Sequence, residues 1–194
     1  MTASGLRERK KERTRQALYE AATRLFLAQG YTRTTVAEIA AEAGVSVKTL
    51  FNHFAGKEDL LLGYRRQRID VMAHVLADEL KNREPDEALA RTAEHVIDWV
   101  MACPEPSLDV NLAQARLILA EPELRARSLD LLWELERRLA AVLRDAHPTR
   151  YDEVAAATVV GGLLGALSAA MRAALERGDS PTELAAAARQ AIQR

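Results

Sequence analysis

The sequence predicts an all-α protein, and three observations carry that expectation. Apolar residues recur at spacings of three and four along most of the chain. Helix caps, glycines and prolines interrupt that pattern at intervals, and there are almost no strand signals. The composition is 48% apolar, 28% charged and 5% aromatic over 194 residues, as in an ordered, helix-rich chain. That length suffices for one sizeable core, or for a small module joined to a larger one.

The first helix is expected from about Lys10 to Gln29, after a basic, disordered start over residues 1–8. Leu18, Ala21, Ala22, Leu25 and Phe26 share its apolar face, and Gly30 ends it. A short helix follows from Val36 to Ala43, with Thr35 as N-cap and Glu38 completing a capping box. After Gly44 a third helix runs from Val47 to His53, capped by Ser46. A longer one starts at Lys57 and reaches about Asn82. Prolines mark the later boundaries: Pro85 precedes a helix over Asp86–Ala102, and the Cys103-Pro-Glu-Pro run closes it. Further helices span Leu108–Ala120, Pro122–Ala146 and about Arg150–Arg177, with a final short one from Pro181. The total is about nine.

Charge divides the chain unevenly. Residues 1–57 hold 10 Lys/Arg against 5 Asp/Glu, whereas the rest holds 17 against 23. A basic module on an acidic body points to a polyanionic partner for the first part alone. The single Cys103 excludes an internal disulfide framework and a multi-cysteine zinc site. MTASGLRERKKERTR lacks the apolar run of a secretory signal, so a cytoplasmic protein is expected.

The run TTVAEIAAEAGVSVKTLFNHFAGKEDL, residues 34–60, places two short helices on either side of Gly-Val-Ser. Ile39, Ala40, Ala43, Val45 and Leu50 are the apolar positions of two helices crossing steeply, and Gly44 frees the turn between them. Val47, Lys48, Thr49, Asn52 and His53 are left toward the outer or N-terminal part of the third helix. An α-helix fits the major groove of duplex DNA, where such side chains reach base edges and phosphates.

This run, with the leading helix and the Gly-Tyr-x-x-Thr-Thr before it, resembles the DNA-binding region of the TetR family of bacterial transcriptional regulators. The resemblance covers Arg9 to about Tyr64. Beyond it only the helical plan is similar, with a slight likeness to members that sense acyl-type ligands. It implies a helix-turn-helix domain over residues 1–56 and an effector-binding and dimerisation domain over 57–194. Val47, Lys48, Thr49 and Asn52 would face bases; Thr35, Phe51, His53 and Lys57 would contact the sugar-phosphate backbone, and Ser46 joins them at the helix start. Lys48 stands where the family often has a small residue, and Phe51 replaces the commoner tyrosine.

Residues 154–171, VAAATVVGGLLGALSAAM, carry no charge, but three glycines and six alanines make them only modestly apolar. A membrane span is not expected. Small residues instead form helix-packing ridges, one with Gly161, Gly165 and Ala169, its neighbour with Gly162, Ala166 and Ala170. Packing within the chain would use the same pattern. The resemblance implies a homodimer pairing the last two long helices as a four-helix bundle, and thus a near-palindromic operator.

The middle helices are expected to hold a small-molecule effector, apolar or amphipathic. Asn111, Gln114, Ala115 and Ile118 lie on or beside the apolar arc of residues 108–120, and His95 and Trp99 form a stripe in the preceding helix. Met72 and Val75 are further candidates, with His74, Cys103 and Trp133 weaker ones. The competing reading for the amides is a buried side chain bonded to neighbours. The four histidines, at 53, 74, 95 and 147, lack metal-binding spacing, so neither metal nor cofactor is expected. No Gly-rich phosphate loop, H-E-x-x-H or nucleophile elbow suggests an enzyme. The expectation is a ligand-responsive dimeric regulator, by resemblance a repressor. The alternatives are a helical adaptor without a DNA target and a helical-pocket enzyme.

Overall fold

The computed structural model describes residues 3–102 and 108–193. The described residues form the helices α1 (Ala3–Gln29), α2 (Val36–Glu42), α3 (Val47–His53), α4 (Lys57–Glu79) and α5 (Pro85–Ala102). They continue with α6 (Leu108–Ala120), α7 (Pro122–Ala146), α8 (Glu153–Arg177) and α9 (Pro181–Ile192). Cys103 lies outside the described residues.

Several boundaries differ from expectation for local reasons. Helix α1 begins at Ala3, so the stretch expected to be disordered over residues 1–8 is helical from residue 3. Arginine, lysine and glutamate are good helix formers, and Gly5 alone is insufficient to break the run. Helix α4 stops at Glu79 because the next amides tighten: Lys81 N–H donates to the Asp78 carbonyl and Asn82 N–H to that of Glu79. Pro85 is itself the first residue of α5, where its missing N–H costs nothing. Helix α8 starts at Glu153, since the Asp152 carboxylate caps it by accepting from Ala155 N–H at 2.7 Å.

The α2–α3 turn rests on a few bonds. Thr35 Oγ1 accepts from Glu38 N–H, and the Glu38 carboxylate accepts in return from Thr35 N–H at 2.8 Å. Those bonds hold the Glu38 carboxyl below its usual range. Gly44 takes φ +66°, which lets Val45 N–H reach back to the Ala40 carbonyl at 2.9 Å. Ser46 then caps α3 by accepting from Thr49 N–H. A helix of seven residues is not stable by itself, so tertiary packing must hold α3. Leu50 supplies it: this side chain is fully buried in a cluster with Leu18, Phe26, Ile39, Ala40 and Phe54.

That cluster does not stop at residue 56. Leu60, Leu61, Leu62 and Ile69 of α4 join it, as do Ile118 of α6 and Leu124 and Leu131 of α7. The N-terminal helices are therefore seated on the body by a shared core. A second cluster, built from Leu76, Leu89, Leu139, Leu143, Val160 and Leu164, ties α4, α5, α7 and α8 together, and α9 packs against α8 and α5.

Two substitutions separate backbone from packing effects. A Cβ on Gly44 would meet nothing within 4 Å, so Gly44→Ala should cost only the left-handed conformation, about 1–2 kcal/mol. Leu50→Ala should cost more, about 2–5 kcal/mol. Urea unfolding midpoints check the order, and equal or reversed effects would contradict it.

Candidate nucleic-acid interface and interior cavity

Burial of Leu50 fixes what α3 presents outward. Val47, Lys48, Phe51 and Asn52, at i, i+1, i+4 and i+5, are all exposed and share the opposite face, with Phe51 at 52%. Thr49 is half-buried, and its hydroxyl lies 2.8 Å from Ser46 Oγ within the cap. Ser46 and Thr35 are exposed, the latter with its hydroxyl in the α2 capping box.

Two other expected contacts are held differently. His53 is half-buried beside α1, whose Arg15 donates to the His53 carbonyl at 3.3 Å and lies over the Phe54 ring. Burial first, then the charges of Lys11 and Arg15, push the His53 pKa down, leaving the ring neutral at pH 7. The Lys57 ammonium donates to the Tyr31 carbonyl at 2.8 Å and sits 4.0 Å from the centre of that ring. It thus pins the start of α4 to the α1–α2 turn and retains two further N–H donors. The N-terminal half of α1 adds a basic edge near His53: Arg7, Arg9, Lys10, Lys11 and Arg13 are exposed.

A pocket of about 320 Å³, open to solvent on one side, is lined by α1, α4, α5, α6, α8 and α9. Its size falls at the lower end of small-molecule sites. Trp99, Asn111, Gln114 and Ala115 line it, as expected. Gln114 is buried and bridges two parts of the fold: its Nε2 donates to Thr23 Oγ1 at 2.8 Å, and Tyr19 Oη donates to its Oε1 at 3.0 Å. Burial pushes the Tyr19 phenol pKa up, so it stays a donor. Tyr19 also lines the cavity, so a bond between α1 and α6 forms part of its wall.

The comparisons with known proteins agree with this architecture. Residues 18–64 match the family described as bacterial regulatory proteins, tetR family, and residues 86–194 match the MftR C-terminal domain. The chain belongs to the tetR family of bacterial regulatory proteins. The HTH-type transcriptional regulator TcmR of Streptomyces glaucescens is 35% identical over 141 residues, 72% of this chain. The chain spans 62% of TcmR's length. Among solved structures, native NalD, the secondary repressor of the MexAB-OprM multidrug efflux pump in Pseudomonas aeruginosa, superposes with a TM-score of 0.65 at 18% identity. That alignment covers 95% of this chain and 96% of NalD. The SmeT–triclosan complex gives a TM-score of 0.63 at 17% identity, covering 93% of this chain and 88% of SmeT. At these identities the likeness is one of fold.

Within this TetR-family fold, four expected cavity residues lie elsewhere. Ile118 is buried in the core that joins α6 to the N-terminal helices, because its side of α6 faces α1 rather than the void. His95 is exposed on the outer side of α5. Met72 packs on the second core cluster, and half-buried Val75 is absent from the cavity wall. His74 is exposed with Nδ1 2.6 Å from the Asp70 carbonyl oxygen, and Trp133 is 61% exposed. Sequence reasoning missed Tyr19, Leu61, Arg65 and Arg68. The last three fall at i, i+4 and i+7 of α4, on one helical stripe.

Helix α8 shows which small residues are open. Gly162, Gly165, Ala166 and Ala169 are exposed, Ala170 is half-buried, and a Cβ on either Gly162 or Gly165 would meet nothing within 4 Å. Gly161 differs: its added Cβ would stand 3.4 Å from the Glu136 carboxyl of α7, so it belongs to the seam between α7 and α8. By length and composition α8 could cross a membrane, and only 17% of its most apolar window is buried within the chain. The exposed large hydrophobics Leu129 and Trp133 stand one turn apart on α7.

Gln114→Leu keeps volume but removes the amide's bonds to Tyr19 and Thr23 of α1, and should destabilise the protein by about 1–3 kcal/mol. Thermal and urea unfolding check this; wild-type stability would mean that the bridge contributes nothing.

Proposed function

We propose that the chain is a homodimeric, effector-responsive transcriptional repressor that reads a near-palindromic duplex operator. The observation that carries this is the α3 face: Val47, Lys48, Phe51 and Asn52 stand exposed on a short helix whose other side is locked into the core. Val47, Lys48 and Asn52 are assigned to base edges, together with Thr49 at the helix start. Thr35, Ser46, Phe51, neutral His53 and the remaining Lys57 donors are assigned to the sugar-phosphate backbone. The basic edge of α1 extends that footprint.

Pairing of two copies is supported by the open small-residue face of α8 beside Leu129 and Trp133 of α7. Gly162, Gly165, Ala166, Ala169 and Ala170 would form its contact, and Gly161 is left to the intrachain seam. A second copy, rather than lipid, then covers the apolar side of α8, and the protein works in the cytoplasm, where bacterial DNA is found. A two-fold axis would set the two α3 helices one DNA turn apart, about 34 Å. The repressor reading is supported by what NalD is, and a small apolar effector by triclosan bound to SmeT.

The cavity supports a mechanism of population shift. A ligand against Tyr19 and Gln114 touches the bond between α1 and α6, and one against α4 touches the helix that leaves the DNA-reading head. Release of operator follows only if effector prefers one arrangement of those helices over the other.

Fluorescence anisotropy with DNA from upstream of the gene tests the reading. Wild type should bind, and a Lys48→Ala/Asn52→Ala variant should bind at least about 10-fold more weakly. Failure of wild type to bind at low salt would favour the adaptor alternative. Gly165→Glu should place like charges across the two-fold seam and yield monomers in analytical ultracentrifugation. A dimer that survives this change would remove α8 from the interface.

A further inference from the structure

Helix α3 is held at its far end by a residue of α1. Arg15 is half-buried, and its Nη1 donates at 3.3 Å to the carbonyl of His53, the last residue of α3. Carbonyls at a helix C-terminus lack partners within the helix and carry its partial negative charge, so a cation with N–H donors suits that place. His53 does not supply the cation itself, because its ring is neutral at pH 7. The Arg15 guanidinium also lies 4.6 Å from the centre of the Phe54 ring, which is buried in the same core as Leu50.

Helix α4 completes the slot. Gly63 is buried there, and a Cβ on it would stand 3.1 Å from Arg15 Nη2 and 3.7 Å from the Phe54 ring. Glycine inside a helix costs stability relative to alanine. At this position it leaves the space that the guanidinium needs. Arg15 thus meets the end of α3 and the side of α4 at once, while belonging to α1.

A phosphate contact is the other use for an arginine beside a DNA-reading helix. The geometry is against it: Nε is buried, Nη1 is bonded to a carbonyl, and Nη2 lies against Gly63. Lys11, one turn earlier on α1, is exposed instead. We propose that Arg15 is a positioning residue of the DNA-reading head, which clamps the C-terminal end of α3 between α1 and α4 and so sets its tilt. Leu50 fixes rotation of α3 about its axis; Arg15 fixes the direction of that axis. Seven residues span about 9 Å, so a tilt of about 10° shifts one end by about 1.5 Å, enough to break a bond to a base edge. This inference rests on the α3 reading above and adds to it a residue that touches no DNA.

The test is fluorescence anisotropy of the full chain with the upstream duplex and with a scrambled duplex of equal composition, each over a range of salt. Arg15→Met keeps an apolar stem and removes the donors. It should lower the ratio of upstream to scrambled affinity by about 10-fold or more, with the salt slope on scrambled duplex unchanged. Arg15→Lys, which keeps a cation near the carbonyl, should retain part of the ratio. Because the ratio is taken within one protein sample, a partial loss of folding does not imitate the effect. Should Arg15→Met not fold, Gly63→Ala decides: it leaves every DNA-facing side chain in place, favours helix and crowds the guanidinium. Selectivity should then fall without loss of thermal stability, and retained selectivity overturns the inference. Wild-type selectivity in Arg15→Met overturns it as well, as does a slope reduced by about 1 with the ratio intact, which would make Arg15 a phosphate contact. A wild type that binds both duplexes alike counts against the α3 reading itself, whereas the outcomes in the variants count against this inference alone.

Discussion

A helix of seven residues cannot persist in water without help, and the proposed DNA-reading surface is such a helix. The constraint on which the rest depends is the burial of Leu50 against Leu18, Ile39 and Phe54. Once that side chain is fixed, rotation of α3 about its axis is fixed too, and Val47, Lys48, Phe51 and Asn52 have no direction left but outward. The Ser46 cap and the positive φ of Gly44 set where the helix starts, but each contributes less than the buried leucine. The base reading, phosphate contact and spacing between two heads proposed above would all take their geometry from this packing.

The same core joins the head to the body. Ile118, Leu124 and Leu131 pack with residues of α1 and α4, so a displacement in α6 or α7 is felt where α1 lies. The Gln114 bridge adds direction to that non-specific contact, because hydrogen bonds break abruptly with distance whereas apolar contacts slide. It forms part of the cavity wall, and α4 forms another part. Occupancy of the interior and position of the head therefore share two elements. A coupling of that kind needs no long relay.

Much of this was legible in the sequence, and what was missed has physical causes. The capping box at Thr35, the cap at Ser46 and the glycine turn at Gly44 are local, so three residues suffice to read each one. Leu50 followed from helical periodicity. Asn111 and Gln114 stood out as amides on an apolar arc, and both line the cavity. Ile118 shares that arc, but periodicity gives only a face and cannot divide it between void and core. Tyr19 was hidden because its partner lies 95 residues away. Arg65 and Arg68 were not among the candidates, and only the fold shows that their stripe borders the pocket. The helical start of α1 was missed because a high charge density suggested disorder, although its residues favour helix.

The account is tested most directly by selecting, from a pool of randomised duplexes, those that the purified protein retains at low ionic strength. It requires enrichment of a two-fold-symmetric sequence whose half-sites lie about one helical turn apart, and that spacing follows from two α3 helices related by a dyad. A retained pool indistinguishable from the input would contradict it, because Leu50 would then be bracing a helix that reads nothing.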